Sequence, residues 1–242
     1  TLYLLYLNMP GNPESFDFFF EPELQNQSFS ENIQFYPNMK FNHNSISYSI
    51  DSNCQLDKQE RMRQAFDELS SQVKVIDFIP VEETLDIEIS CSEGGENTIQ
   101  KKYYIAGEGG PKEIIQTGTY NVITNGEILF HDNQKNFLEC ETPKIELHEL
   151  IHVFGFGHSS DKNNLMHPYW TSCSQKLNES VIAEIKRLYS EENLPDLYFE
   201  SIKVVKKGRY LDFNVTIKNS GIIDAHDVDF NIFDDNELVE TK

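Results

Sequence analysis

Eleven consecutive residues, His148-Glu149-Leu150-Ile151-His152-Val153-Phe154-Gly155-Phe156-Gly157-His158, restrict this chain more than any other segment. His148 and His152 are spaced i, i+4, so on a helix they share one face about one turn apart and both imidazoles reach a single ion. Gly155 can take the left-handed conformation that ends a helix and turns the chain back. His158 then arrives as a third nitrogen ligand. Three protein ligands and one open position form the arrangement of a catalytic zinc rather than a closed structural one. With 7 His and 12 Gly in 242 residues, the five fixed positions of this pattern arise by chance in only about 10⁻⁵ of such chains.

Glu149 follows the first histidine on the same helix, where it can hydrogen-bond a zinc-bound water without binding the ion. Zinc lowers the pKa of bound water to about 7. Glu149 is therefore the expected general base, taking the proton as hydroxide attacks a carbonyl and passing it to the leaving amine. A second feature lies eight residues beyond His158: Leu165-Met166-His167-Pro168. A methionine in an apolar tripeptide is ordinarily core packing, and its distance from His158 is what gives it weight here.

Together these residues resemble the metzincins, defined by His-Glu-x-x-His-x-x-Gly-x-x-His followed by a methionine turn. Within that group the chain is most similar to matrixins, because Ser159 directly follows the third histidine and Pro168 comes two residues after Met166. The resemblance implies an α+β catalytic domain over residues 41–194: a twisted mixed sheet packed on helices, then the zinc helix, the turn at Met166 beneath the metal, and a C-terminal helix. It implies one catalytic zinc held by His148, His152 and His158, with Glu149 catalytic. It also implies a protein or peptide substrate bound extended along an edge strand, with Pro168, Tyr169 and Trp170 walling the pocket for the residue after the scissile bond. Departures are visible. Trp170 occupies the position where a Tyr is usual, with Tyr169 one residue earlier. No second His-rich motif for a structural zinc and calcium ions is found, so calcium has no motif of its own, and no cysteine-containing propeptide switch is present.

Four cysteines allow three pairings. The implied fold brings the segment before the zinc helix close to that after the methionine turn, which favours Cys140 with Cys173 and leaves Cys54 with Cys91. Free buried thiols remain the alternative, since the redox compartment is inferred. Asn26, Asn178 and Asn214 lie in Asn-x-Ser/Thr sequons that matter only in a glycosylating pathway. His43, His131 and His226 show no ligand spacing and read as surface or packed residues, and His167 reads as a structural loop histidine.

Elsewhere the pattern is coarser. Residues 1–40 mix Asn, Gln, Pro, Ser and Phe without a period and read as an N-terminal extension with little regular structure. Ile46, Tyr48 and Ile50 alternate as a strand. Asp57 is the expected cap of a helix whose stripe is Met62, Ala65, Phe66, Leu69 and Val73. Leu85, Ile87, Ile89 and Cys91 form a second strand. Gly107, Gly109 and Gly110 mark a loop that is no phosphate cradle, lacking the Lys-Ser/Thr and the helix. Asn125-Gly126 predicts a hairpin between strands at 120–124 and 127–131. Thr142 and Pro143 are read as N-cap and first residue of the zinc helix, and a last helix spans 178–189 with the stripe Val181, Ile182, Ile185, Leu188 and Tyr189. After Leu194-Pro195-Asp196 come strands at 197–205, 210–218 and 227–233. This tail resembles the start of an immunoglobulin-like, CARDB-type repeat of microbial surface proteins. Three strands cannot close a sandwich, so residues 195–242 read as a partial module.

The charge bounds the partners. Forty acidic against 20 basic residues give a net −20, which repels phosphate backbones and anionic lipid, so nucleic acid is excluded. Spread along the chain, the acidity reads as a solvated surface, with cationic peptides or calcium as the alternative. No stretch reaches the roughly 18–20 apolar residues of a membrane span. The start at Thr1, with Leu2–Leu7 too short for a signal core, predicts that an upstream targeting segment has been removed, hence an extracellular or cell-surface monomer. Two other functions are weighed: a zinc hydrolase limited to short peptides, and a binding protein with a structural zinc, against which the intact Glu149 argues.

Overall fold

The computed structural model of the protein describes residues 34–82, 86–92, 106–131, 140–170, 172–234 and 237–241. Leu85, Asn26 and the extension up to residue 33 lie outside them. The elements in order are β1 (Met39–Phe41), β2 (Ser45–Ile50), α1 (Leu56–Val73), β3 (Asp77–Pro80), β4 (Ile87–Ser92), β5 (Gly107–Gln116), β6 (Asn121–His131), α2 (Lys144–Val153) and α3 (Glu179–Ser190). The tail adds β7 (Leu197–Lys207), β8 (Tyr210–Asn219), β9 (Asn231–Asp234) and β10 (Glu237–Thr241).

β1 to β6 build one mostly parallel sheet ordered β1-β6-β4-β2-β3. β5 and β1 both pair with Asn121–Ile123 of β6, so they lie on opposite sides of it. β5 runs antiparallel to β6 and, with no other sheet partner among the described residues, is an edge strand. The fold is thus the mixed α and β architecture expected, three helices packed with one sheet.

The helices form where the apolar period predicts them. Met62, Ala65, Phe66, Leu69 and Val73 of α1 are all buried, and the Phe66 ring lies between Tyr48 of β2 at 4.1 Å and Phe78 of β3 at 4.5 Å. In α3, read from sequence as starting at 178, the side chain of Asn178 accepts a hydrogen bond from the Ser180 amide and caps the helix. The two caps expected from sequence, Asp57 and Thr142, are not formed. α1 starts at Leu56 with Asp57 in its first turn, and α2 starts at Lys144, after Pro143. Neither has a side-chain cap bond.

Two glycine readings are overturned. Asn125-Gly126 is not a turn, because β6 continues unbroken through it, and the reversal lies at Thr117–Tyr120, closed by Thr117 N–H to Tyr120 O at 2.8 Å. Gly107 to Gly110 is not a loop but the start of β5. The reason is packing against α2. A Cβ on Gly126 would stand 2.5 Å from Val153 Cγ1, and one on Gly109 only 2.3 Å from the backbone oxygen of Glu149. Glycine here admits the helix to the sheet rather than bending the chain.

The tail forms two separate two-stranded antiparallel pairs, β7 with β8 and β9 with β10, in place of the three strands read from sequence. Apolar residues of the first pair, among them Ile202, Val204, Tyr210 and Leu211, are exposed. The segment after β8 returns to the linker, Ser220 N–H donating to Asp196 O at 2.8 Å and Ile222 N–H to Leu194 O at 3.2 Å.

Gly109 and Gly110 make a matched test. Nothing lies within 4 Å of a Cβ on Gly110. Gly109→Ala is expected to cost about 1–3 kcal/mol by overpacking, and Gly110→Ala to stay within about 0.5 kcal/mol, in urea unfolding of the metal-free protein. Equal midpoints for the two variants would contradict the packing account.

Candidate metal centre

The helix that carries the eleven-residue motif is fixed at its first turn by charge. Glu146 is fully buried and receives Lys58 Nζ at 2.9 Å and Arg61 Nε at 3.2 Å, both from α1. Arg61 continues to the carbonyls of Cys140 at 3.0 Å and Thr142 at 3.1 Å, which fixes the entry to α2. Removing one partner of such a buried group leaves an uncompensated charge, so α2 has one seat against α1. A disulfide joins Cys140 to Cys173 across the site, and another joins Cys54 to Cys91. These are the two pairings that the sequence favoured.

From this helix His148 and His152 project together. His148 Nδ1 lies 2.7 Å from Leu165 O, and His152 Nδ1 lies 2.6 Å from Phe156 O. A carbonyl only accepts, so each Nδ1 carries the proton and each Nε2 presents a bare lone pair. After α2 ends, Gly155 with φ +83° reverses the chain, its N–H bonding His152 O at 2.8 Å. A Cβ there would strike Met39 Sδ at 2.5 Å. His158 then completes a triangle whose Nε2 separations are 3.0, 3.2 and 3.3 Å. Four tetrahedral ligands at zinc–nitrogen distances of about 2.0–2.1 Å stand about 3.3 Å apart. The donor set and spacing therefore fit zinc, and a cation is what removes the repulsion between facing lone pairs. No other group of three metal-ligating side chains comes together among the described residues.

Met166 is buried. Its carbonyl accepts from Ser159 N–H at 2.7 Å, and its own N–H donates to Asn164 Oδ1 at 3.0 Å, so the turn is bonded to the residue after the third histidine. The adjoining segment holds Pro168 exposed and Tyr169 and Trp170 half-buried. Sequence reading missed what secures it. Buried Gln175 donates from Nε2 to Lys162 O at 3.1 Å, Asn164 O at 3.3 Å and Tyr169 O at 3.2 Å. A lone glutamine in a loop carries no signal for that role.

Glu149 sits between α2 and β5, 6% exposed, with Gly107 so near that a Cβ there would be 3.1 Å from Glu149 Cγ. Burial pushes its carboxyl up to about 8, helped by Glu108 and Glu146 and opposed by a hydrogen bond from the Gly109 backbone and by Lys58. Burial also lowers His148 to about 4 and His158 to about 3, and holds His152 well below its ordinary value. The three imidazoles are therefore neutral near pH 7, the form that binds metal.

The remaining histidines are not members of the triangle, although His167 acts electrostatically on His148 and His158. His43 Nε2 pairs with Asp86 at 3.1 Å. His131 bridges Glu108 at 2.7 Å and Ser92 at 2.9 Å. His167 bonds the backbone of Tyr169, and His226 is exposed.

A comparison with curated proteins finds no match. A family model described as matrixin matches residues 40–190, a span that runs from β1 to the end of α3 and includes the histidine triangle, the turn at Met166 and the edge strand β5. The chain belongs to the matrixin family, whose catalytic domain is that of a zinc metallopeptidase.

Proposed function

We propose that the protein is a zinc-dependent endopeptidase in which His148, His152 and His158 hold the metal and Glu149 is the general base. The observation that carries this reading is the triangle of Nε2 atoms at 3.0–3.3 Å with a buried carboxylate on the same helix. Zinc, when bound, supplies a Lewis acid that acidifies water and polarises a carbonyl. The chain's own residues supply the rest. Glu149 takes the proton of the attacking water at its carboxylate and delivers it to the departing amine, so the carboxylate is regenerated. The Nδ1–H bonds to Leu165 and Phe156 carbonyls keep both helix imidazoles in the ligating tautomer.

An extended substrate would add itself to β5 as a further strand, main chain to main chain. That arrangement lays the peptide beside Glu149, because a Cβ on Gly107 of β5 would stand 3.1 Å from Glu149 Cγ and the Gly109 backbone hydrogen-bonds its carboxyl. Pro168, Tyr169 and Trp170 would wall the pocket for the residue after the cleaved bond. In this reading residues 41–194 are the catalytic domain, residues 1–40 an extension of it, and residues 195–242 a spacer or adhesion module. The two disulfides and the family fit an extracellular or cell-surface setting. No helix among the described residues is long and apolar enough to cross a membrane.

Two measurements test this reading. Zinc-loaded wild type should cut an unfolded protein internally, and Glu149→Ala should cut at least about 10²-fold more slowly while keeping its zinc. Equal cleavage by both, or none by either with zinc retained, would end the protease reading. Mass spectrometry of the fragments separates internal cuts from end-trimming.

The second concerns pH. In the metal-free protein the three folded-state imidazoles titrate below 6.5, so on acidification the unfolded chain takes up protons first. Stability from these groups falls as pH drops from about 6.5 toward 4. Glu149 acts oppositely, its folded value of about 8 exceeding 4.5, so its contribution is lost as pH rises between those values. Below pH 6.5 the three imidazoles outweigh Glu149; above it only Lys40, lowered by burial to about 8, begins to oppose Glu149, and only as pH approaches 8. Urea midpoints in chelator should peak near pH 6.5, and Glu149→Gln should remove the decline between 6.5 and 8. A variant that keeps that decline would refute the assignment to Glu149.

A further inference from the structure

The exit of the zinc helix is held by residues that precede the whole sheet. Gln34 is buried and fully engaged: its Nε2 donates to Met39 O at 2.7 Å and to Phe154 O at 2.9 Å, and its Oε1 accepts from Met39 N–H at 3.0 Å. Gln34 also forms an isolated antiparallel bridge with Phe156. The next residue, Phe35, donates its N–H to Gly155 O at 2.7 Å. Its ring lies nearly parallel to the His152 imidazole, 14° apart in plane with centroids at 6.3 Å.

These contacts fall on the three residues that decide where two histidines point. Phe154 is the C-cap of α2 and Gly155 makes the reversal toward His158. Phe156 supplies the carbonyl that holds His152 Nδ1–H at 2.6 Å. Backbone carbonyls at a helix C-terminus have no intrahelical partner, so without Gln34 and Phe35 those of Phe154 and Gly155 would lose the partners that hold this turn in one conformation. The buried thioether of Met39, which fills the space beside Gly155, is set in place by the same glutamine through both its N–H and its carbonyl.

We infer that Gln34 and Phe35 are positioning residues of the metal centre: Gln34 fixes the turn that orients His152 and His158, and Phe35 packs along the His152 ring. This rests on the reading that the triangle holds zinc. The metal centre therefore extends to a segment ahead of β1, and its retention of metal depends on that segment.

Outer contacts of metal ligands are commonly worth 10–100-fold in affinity. The test measures zinc release from the full chain into excess chelator, followed with a colorimetric indicator, for wild type, Gln34→Met, Phe35→Ala and Lys40→Met. Gln34→Met keeps the volume but removes the donor and acceptor. Lys40 is another buried polar group, on β1, bonded to Leu188 O at 2.7 Å and Asn193 Oδ1 at 2.8 Å rather than to the helix exit. Gln34→Met should release zinc about tenfold faster, Phe35→Ala by a smaller factor, and Lys40→Met at the wild-type rate even though its urea midpoint falls. Wild-type release by both Gln34→Met and Phe35→Ala would overturn the inference, as would equally fast release by Lys40→Met, which would show general loosening. If Gln34→Met does not fold, Phe35→Ala decides on the same terms. A wild type that binds no zinc defeats the metal reading itself, a separate result from a wild type that binds zinc and variants that hold it equally well.

Discussion

Three imidazole nitrogens face one another at 3.0–3.3 Å, and most of the surrounding architecture exists to keep them there. Facing lone pairs repel, and burial denies the imidazoles the alternative of protonation, so an unconstrained site would turn its rings apart. Here the two helix-borne rings are held. His148 is tied to the carbonyl of Leu165 and His152 to that of Phe156, each carbonyl lying in a segment fixed from elsewhere. The 165 segment is bonded to Ser159 and Lys176, and Phe156 follows directly on the turn gripped by Gln34 and Phe35. The fold thus favours the convergence of His148 and His152, which is what preorganisation of a metal site means in physical terms.

The helix bearing two of these rings is located by two unlike interactions. Against the sheet it is located by the absence of side chains, since Gly109 and Gly126 let its backbone and Val153 approach more closely than any Cβ permits. Against α1 it is located by charge, Glu146 being clasped by Lys58 and Arg61. Close packing sets the depth of the helix but tolerates sliding along the groove. A buried ion pair tolerates little displacement, because each ångström of separation leaves desolvated charge less compensated. The disulfide from Cys140 to Cys173 then joins the segment before this helix to the loop beyond Met166, so that loop is referenced to the helix.

This division explains what was legible in the sequence. The α1 stripe, the last helix and the histidine spacing follow from local periodicity or from a motif whose parts lie within about twenty residues of one another, whereas the disulfide partners, 33 and 37 residues apart, were favoured only through the fold that the resemblance implies. The glycines were misread because the constraint on them comes from α2, far along the chain. Asn125-Gly126 has the local chemistry of a turn, and only the approach of Val153 shows why glycine is needed in a straight strand. Gln34 was invisible for a related reason. A single amide in an Asn- and Gln-rich stretch has no period, and its partners at Met39 and Phe154 become apparent only when the fold sets them side by side. Long-range constraints of this kind rest on one residue type at one place, and nothing in the neighbouring sequence repeats them.

In the proposed mechanism, Glu149 as base would depend on the metal. Burial together with Glu108 and Glu146 holds its carboxyl near 8 in the metal-free chain, a value at which it keeps its proton at neutral pH and is no base. The chain offers little to offset this, for Lys58, the cation that opposes the shift, is already committed to Glu146 at 2.9 Å. A divalent cation at the centre of the triangle would add two positive charges beside the same helix in a poorly screened interior, where such charges act strongly. The carboxylate would then be favoured over the acid. Had the protein supplied its own positive charge near Glu149, that charge would also have repelled the ion from the three imidazoles. An acidic, buried and uncompensated base is therefore consistent with a site that is competent only when metal is bound.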